Sequence, residues 1–318
     1  MAYLIVAVAL FFLSVKGLCG KKTSTYMQDS GDAFRFNILR MLLCMLIGIV
    51  LVFIENAQQY LAVESGMLWI CILAGVCNAA FLVGWMLAIR TNAMITVDVS
   101  LTLGSMIPAV LCAILFAEPI SLPKMIGFVL ILIAAAILAG YRKEEQKKGS
   151  VGGIVFVVFA SVGEGTVSFT QQLYKQFYTE SGTRVGDVIY PKSVYHFYTY
   201  VFAAASLLLV LIGYEVWRHI QNPTIGWKDD VKTSMRTLFK PFPYIVIMAI
   251  CMFAATYFQT VATNDYGMPS QILYPLIKGC GLITVTLYAM IFFGERVTRR
   301  SILGTIVALV GIVIMNVL

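Results

Sequence analysis

The sequence predicts an all-α membrane protein, with ten transmembrane helices arranged as two inverted five-helix repeats. Three observations lead there. Of the 318 residues, 60% are hydrophobic and only 12% charged, and the mean hydropathy is +0.86. That is more apolar surface than a water-soluble domain can cover. The apolar residues fall into ten stretches, each close to the roughly 20 residues a helix needs to cross a bilayer core. The two halves of the chain also end alike, on either side of a charged mid-chain segment.

The spans are read at residues 2–20, 36–55, 67–90, 94–117, 121–141, 151–173, 194–214, 241–263, 269–293 and 298–318. Runs such as Ile126 to Ala139 are apolar on every side. Strands of a membrane barrel would alternate polar and apolar residues instead, so helices are expected. The first span is too long and continuous for a signal peptide, no small-residue cleavage site follows it, and Lys16, Lys21 and Lys22 lie on its far side. It is expected to be a retained helix. The second span lies between Arg35 and Glu55, and the third ends at Arg90. The fourth carries Asp98, the fifth opens at Ser121, the sixth carries Glu164 and the ninth carries Lys278.

Most connections are short. Residues 142–150 form a charged hinge between a first unit, 1–141, and a second, 151–318. Residues 174–193 and 215–240 are longer, polar and aromatic. None could house a soluble catalytic or nucleic-acid-binding module. The net charge of +7 is therefore read as a membrane-topology signal and not as affinity for nucleic acid. The seven cysteines lie in or at the edges of spans without Cys-x-x-Cys spacing, which suits apolar packing and not metal or disulfide chemistry. His196 and His219 match no ligand motif, and no cofactor is expected. There is no Gly-x-x-x-x-Gly-Lys-Ser/Thr segment, so ATP is not expected to act directly.

Phe116-Ala-Glu118-Pro-Ile-Ser121 closes the first half as Phe293-Gly-Glu295-Arg-Val-Thr298 closes the second. In each, a Ser or Thr stands at a helix N-cap position three residues after the glutamate. Gly127 and Gly304 follow six residues later. Upstream, Ala88-Ile-Arg-Thr91-Asn92 echoes Thr260-Val-Ala-Thr263-Asn264. Five spans per half return the second half to the membrane upside down, the build of many secondary transporters, in which substrate sits near the midplane between the halves.

The segment Phe-Gly-Glu295-Arg-Val-Thr-Arg-Arg-Ser-Ile-Leu-Gly304, with the apolar helix after it, resembles the end of an EamA-type repeat. The chain is thus similar to the ten-helix branch of the drug/metabolite transporter superfamily. The resemblance is sharpest over 263–318, moderate over 88–140 and weak in the first, second, sixth and seventh spans. Ala117 and Pro119 stand where the second repeat has Gly294 and Arg296, and the first span lacks the Trp-Gly pair common in the superfamily. The resemblance implies that Glu118 and Glu295 mark the fold and not the substrate. It also implies a bacterial plasma-membrane carrier, monomeric or homodimeric, in contact with membrane lipid. Loops 1–2, 3–4, 5–6, 7–8 and 9–10 hold 15 of the 23 Lys and Arg residues, and the alternate loops hold four, Lys124, Lys175, Arg184 and Lys192. The positive-inside rule puts the richer side in the cytoplasm and both termini outside. Several members of the superfamily are held to have their termini inside.

An intramembrane charge usually faces a cavity or a partner. Lys278, in Tyr274-Pro-Leu-Ile-Lys-Gly-Cys-Gly281, is a candidate for substrate or counter-ion, on a helix that Pro275 can kink. Glu164, between Gly163 and Gly165, suits proton coupling or cation binding. Asp98 is either a site residue or an interfacial cap. Asp98 or Glu164 could pair with Lys278. Lys16 is expected to snorkel and Glu55 to sit at the interface. Asn78 and Trp85 on the third span, Tyr257 and Gln259 on the eighth, Gln171 and Gln172 on the sixth, and Tyr274 could line a pocket for a small amphipathic metabolite. The expected activity is not enzymatic. It is secondary transport of a small organic solute, amino acid-like or an amine, coupled to protons or to exchange. The alternatives are an intramembrane lipid-modifying enzyme and a passive channel.

Overall fold

The computed structural model describes residues 1–91, 97, 101–102, 104, 106–116, 121–145, 151–180, 182, 188–221, 238–293 and 299–317. Among these residues the chain forms ten α-helices, one 3₁₀ turn (Gln58–Leu61) and no strand. The helices are α1 (Ala2–Ser24), α2 (Gly31–Ile54), α3 (Ser65–Thr91), α4 (Met106–Phe116), α5 (Leu122–Glu145), α6 (Val151–Tyr178), α7 (Lys192–Gln221), α8 (Phe242–Asn264), α9 (Ser270–Phe293) and α10 (Arg299–Val317). Five of them (α1, α2, α3, α7 and α8) are long and apolar enough to cross a bilayer, and the chain is an integral membrane protein. Backbone groups have no water to bond in hydrocarbon, so the helix, which satisfies them internally, is the form such segments take.

Several helices outrun their expected ends. α1 continues through Lys21 and Lys22 to Ser24, α5 runs to Glu145 inside the expected hinge, α6 reaches Tyr178 and α7 reaches Gln221. The overruns of α1 and α5 are polar, and helices continue where charged side chains can reach water; the overrun of α6 instead buries Tyr174 and Tyr178 in an apolar cluster. α9 stays helical across Pro275. Asp98, Glu118, Glu295 and residues 222–237 lie outside the described residues.

Helix α3 packs on α6 and α7, α8 on α1 and α2, α2 on α7, and α5 on α10; α4 touches α6, and α9 touches α1. With no hydrophobic force to draw helices together in lipid, small residues set these contacts by allowing close approach. A Cβ on Gly48 of α2 would stand 3.1 Å from the Phe197 Cα of α7, and one on Gly75 of α3 would stand 2.7 Å from the Ala203 nitrogen. The largest buried apolar cluster lies where α2, α3, α7 and α8 meet, around Leu82, Trp85, Tyr200 and Phe253. The outward residues Leu208, Leu209 and Val210 of α7 are exposed, as a lipid-facing surface requires.

Side-chain contacts define two ends of the bundle. At the first, the start of α2 meets the end of α7. Arg35 pairs with Asp32 at 3.0 Å, with Asp29 at 3.8 Å and with Glu215, and Arg218 pairs with Asp29 at 3.4 Å. Lys21 donates to the Ile89 carbonyl and Arg90 to the Gln28 carbonyl, both at 2.9 Å, so α1 and α3 finish at this end. At the second end α2 finishes and α7 begins. Glu55 accepts hydrogen bonds from Ser193 at 2.6 Å and Tyr257 at 2.7 Å. Lys192 pairs with Asp265, just past α8, at 2.7 Å. Tyr174, late in α6, donates to the Tyr190 carbonyl at 2.6 Å. Thus α1, α3 and α7 run one way, and α2, α6 and α8 the other.

Candidate functional site

Glu164 is seated by its glycines. A Cβ on Gly163 would lie 2.8 Å from both the Cys77 carbonyl oxygen and the Phe81 nitrogen of α3. One on Gly165 would lie 2.7 Å from Ile107 Cδ1 of α4 and nearer still to the Gly104 carbonyl. The two missing side chains let α3 and Gly104 close in on either side of the carboxylate. Its Oε1 accepts from Lys278 Nζ of α9, and the two form an ion pair. Its Oε2 is buried without a hydrogen-bond partner among the described residues.

Two small hollows adjoin this pair, of about 60 Å³ and 50 Å³, and share Leu13, Lys16, Phe81 and Glu164. Trp85, Ser14, Lys278, Gly281 and Thr284 help to line the first. Asn78, Gln171, His196, Tyr200 and Gln259 help to line the second. Each has room for a few water molecules. Six of the residues proposed from sequence therefore meet in one place: Glu164, Lys278, Trp85, Asn78, Gln171 and Gln259. Tyr274 stands behind the wall. Its buried hydroxyl accepts from Gln172 Nε2 at 3.2 Å and shares its proton between Gln171 Oε1 at 2.8 Å and the Ser168 carbonyl at 3.0 Å. Tyr257 sits toward the second end of the bundle on Glu55, with its ring 5.8 Å from that of His196.

Lys16 departs from its expected place. It is 8% exposed, and its ammonium lies 5.3 Å from the Phe81 ring centre and 5.6 Å from that of Trp85. The longer reach of α1, to Ser24, puts it too deep to snorkel, and aromatic faces attract a cation there. The packing that places Trp85 is tight: a Cβ on Gly20 of α1 would fall on its indole ring. His196, matched to no motif in the sequence, is 2% exposed with Nε2 3.0 Å from Thr260 Oγ1. Among the described residues no group of His, Cys, Asp and Glu is arranged to hold a metal ion.

Toward the second end of the bundle an open vestibule of about 740 Å³ is lined by Tyr60, Tyr174, Tyr190, Lys192, Asn264 and Asp265 among others. Tyr174 lines the vestibule and Tyr195 lines the cavity. Their rings stack 4.5 Å apart and nearly parallel, at 12°, so one aromatic pair separates the two spaces.

Gly281 gives a direct test of the cavity. It lines the first hollow, and a Cβ there would meet nothing within 4 Å. Gly281→Leu puts its first added carbon in open space and, on the sequence expectation that solute is carried through this cavity, is expected to fill the hollow and block uptake. Undiminished uptake by a well-folded variant would show that solute passes elsewhere.

No protein-family profile matches the chain, and no curated protein does. Solved structures do, 27 chains among them. One crystal structure shares 14% sequence identity and aligns over 99% of this chain and 96% of its own, with a TM-score of 0.64. At that identity the likeness is one of fold.

Proposed function

We propose that the chain is a ten-helix secondary carrier, of the drug/metabolite transporter type, that moves a small organic metabolite by alternating access. The observation that carries this reading is the Glu164–Lys278 pair at the wall of a largely apolar hollow, mid-helix on both sides. A charge pair in that position is seldom structural decoration in a membrane, since each charge costs about 2.5–3.5 kcal/mol there on insertion scales.

The packing pattern supports two related halves. Advancing each helix by five turns α3 on α6 into α8 on α1, α3 on α7 into α8 on α2, and α4 on α6 into α9 on α1; α2 on α7 and α5 on α10 turn into themselves. α1, α2 and α3 run opposite to α6, α7 and α8, as an inverted repeat would have them. The ion cluster at the first end and the open vestibule at the second fit a carrier caught accessible from one side. The positive-inside rule assigns the first end, which gathers Lys21, Arg90 and Arg218, to the cytoplasm of a bacterial plasma membrane.

Coupling follows from the pair. A proton on Glu164 would release Lys278, and a solute group could then take the place of the carboxylate. Purified protein in liposomes, screened with a metabolite panel, is expected to show saturable uptake that a pH gradient or internal counter-solute drives. Flux that neither saturates nor responds to a second gradient would mark a channel and refute the carrier reading.

A further inference from the structure

The charge that the site does not use is Arg40. It lies in the middle of α2, 0% exposed, among the largest fully buried side chains. Its Nε and Nη2 have no hydrogen-bond partner among the described residues. Nη1 reaches only the Met248 sulfur, at 3.7 Å. Cys44 and Tyr200 stand near it, and its Cζ lies 6.0 Å from the centre of the Trp85 ring. No described carboxylate reaches it. A guanidinium is never deprotonated at physiological pH, and a buried charge is stable only when paired or hydrogen-bonded. Arg35, five residues earlier on the same helix, shows the usual solution, with three acids around it. Arg40 has an indole and a thioether.

Trp85 ties this charge to the cavity. Its ring lines the first hollow, with the Lys16 ammonium 5.6 Å and the Arg40 Cζ 6.0 Å from the ring centre. Tyr200, near Arg40, lines the second hollow. We propose that the carrier selects anions: the cargo bears a carboxylate or phosphate that enters between Lys16 and Trp85 and draws its stabilisation from the buried guanidinium of Arg40. The inference rests on the carrier reading and narrows it to a substrate class. Glu164 lines both hollows but is paired with Lys278, so the cations Lys16, Lys278 and Arg40 outnumber it; an amine would meet a net positive field, weakly screened in a low-dielectric site.

The test uses purified full-length protein and its variants Arg40→Met, Arg40→Lys and Asp98→Asn. Thermal midpoints are measured without ligand and with benzoate, inorganic phosphate or phenethylamine, and flux is measured in liposomes. Benzoate or phosphate is expected to raise the wild-type midpoint, and the one that does so identifies the anionic group; phenethylamine is expected to leave it unchanged. Arg40→Met is expected to raise the ligand-free midpoint, because an unpaired charge is removed, and to weaken anion binding at least tenfold. Arg40→Lys is expected to retain part of the binding. A lower ligand-free midpoint in Arg40→Met, or anion stabilisation that survives it, would overturn the proposal. So would a loss of stability in Asp98→Asn that vanishes when Arg40 is also replaced, since Arg40 would then have a counter-ion within the protein. Anion binding without saturable flux refutes the carrier reading alone. Saturable transport of phenethylamine with no response to either anion refutes the anion inference alone.

Discussion

Glu164→Gln and Lys278→Ala are each expected to abolish solute uptake, with a loss of at least ~100-fold, the scale seen when one partner of a buried charge pair is truncated. The stability changes separate the roles. The pair is largely enclosed, with side chains 16% and 22% exposed, so either single change strands a charge in a hollow that holds few waters. About 2 kcal/mol is expected, discounted from the range for fully buried pairs. That lowers the thermal midpoint by roughly 4 °C for a chain of this size. The double variant Glu164→Gln, Lys278→Gln removes both charges and is expected to recover most of the lost stability with no recovery of transport. Recovery of transport in the double variant would mean that the pair only holds α6 to α9. Normal uptake in both single variants would refute the assignment of the site.

Arg35→Gln is expected to have the other large effect, at the opposite level of the bundle. Arg35 is the hub of the cluster that closes the first end, in contact with Asp29, Asp32 and Glu215. Its side chain is 12% exposed and that of Asp32 2%, so the cluster is far more enclosed than a surface ion pair. Its loss leaves Asp32 and Glu215 facing each other without the intervening cation, and a cost of about 3 kcal/mol is expected, or roughly 6 °C in the thermal midpoint. The functional outcome is sharper. With that end unlatched, liposomes preloaded with solute are expected to leak it without any opposing gradient, whereas wild-type liposomes retain it. The reciprocal exchange Arg35→Glu with Glu215→Arg tests the latch itself, and a leak that persists equally in the exchanged pair would locate the seal elsewhere.

The helices were legible in the sequence because hydrocarbon imposes one rule on every span: continuous apolar length. Their ends were less so. Lys21 and Lys22 read as the edge of a membrane, yet α1 continues past them, and the four extra residues carry Lys16 inward. Glu164 and Lys278 each stood out as charges within apolar runs, and the glycines around Glu164 announced close packing. That they pair with each other could not be read, because Asp98 was an equal partner on spacing alone. Arg35, at the edge of the second expected span, and Arg40, inside it, differ in their surroundings. Asp29 and Asp32, close in sequence, and Glu215 from α7, 180 residues away, gather around Arg35, and none of them reaches Arg40. His196 likewise acquires its place through Thr260 of α8. A residue's own neighbours fix its helix; the residues opposite it, which no local pattern encodes, fix its chemistry.

The close contact of Gly48 with Phe197 makes a fulcrum of the α2–α7 pair. At 1.5 Å per residue, Arg35 lies about 20 Å from that point and Glu55 about 10 Å on the far side. A tilt of about 10° would then swing the Arg35 end by roughly 3 Å and the Glu55 end by half as much in the opposite sense, enough to part an ion contact at one end while the Ser193–Glu55 bond at the other, already 2.6 Å long, stays shut. Two doors hung on one see-saw cannot both stand open.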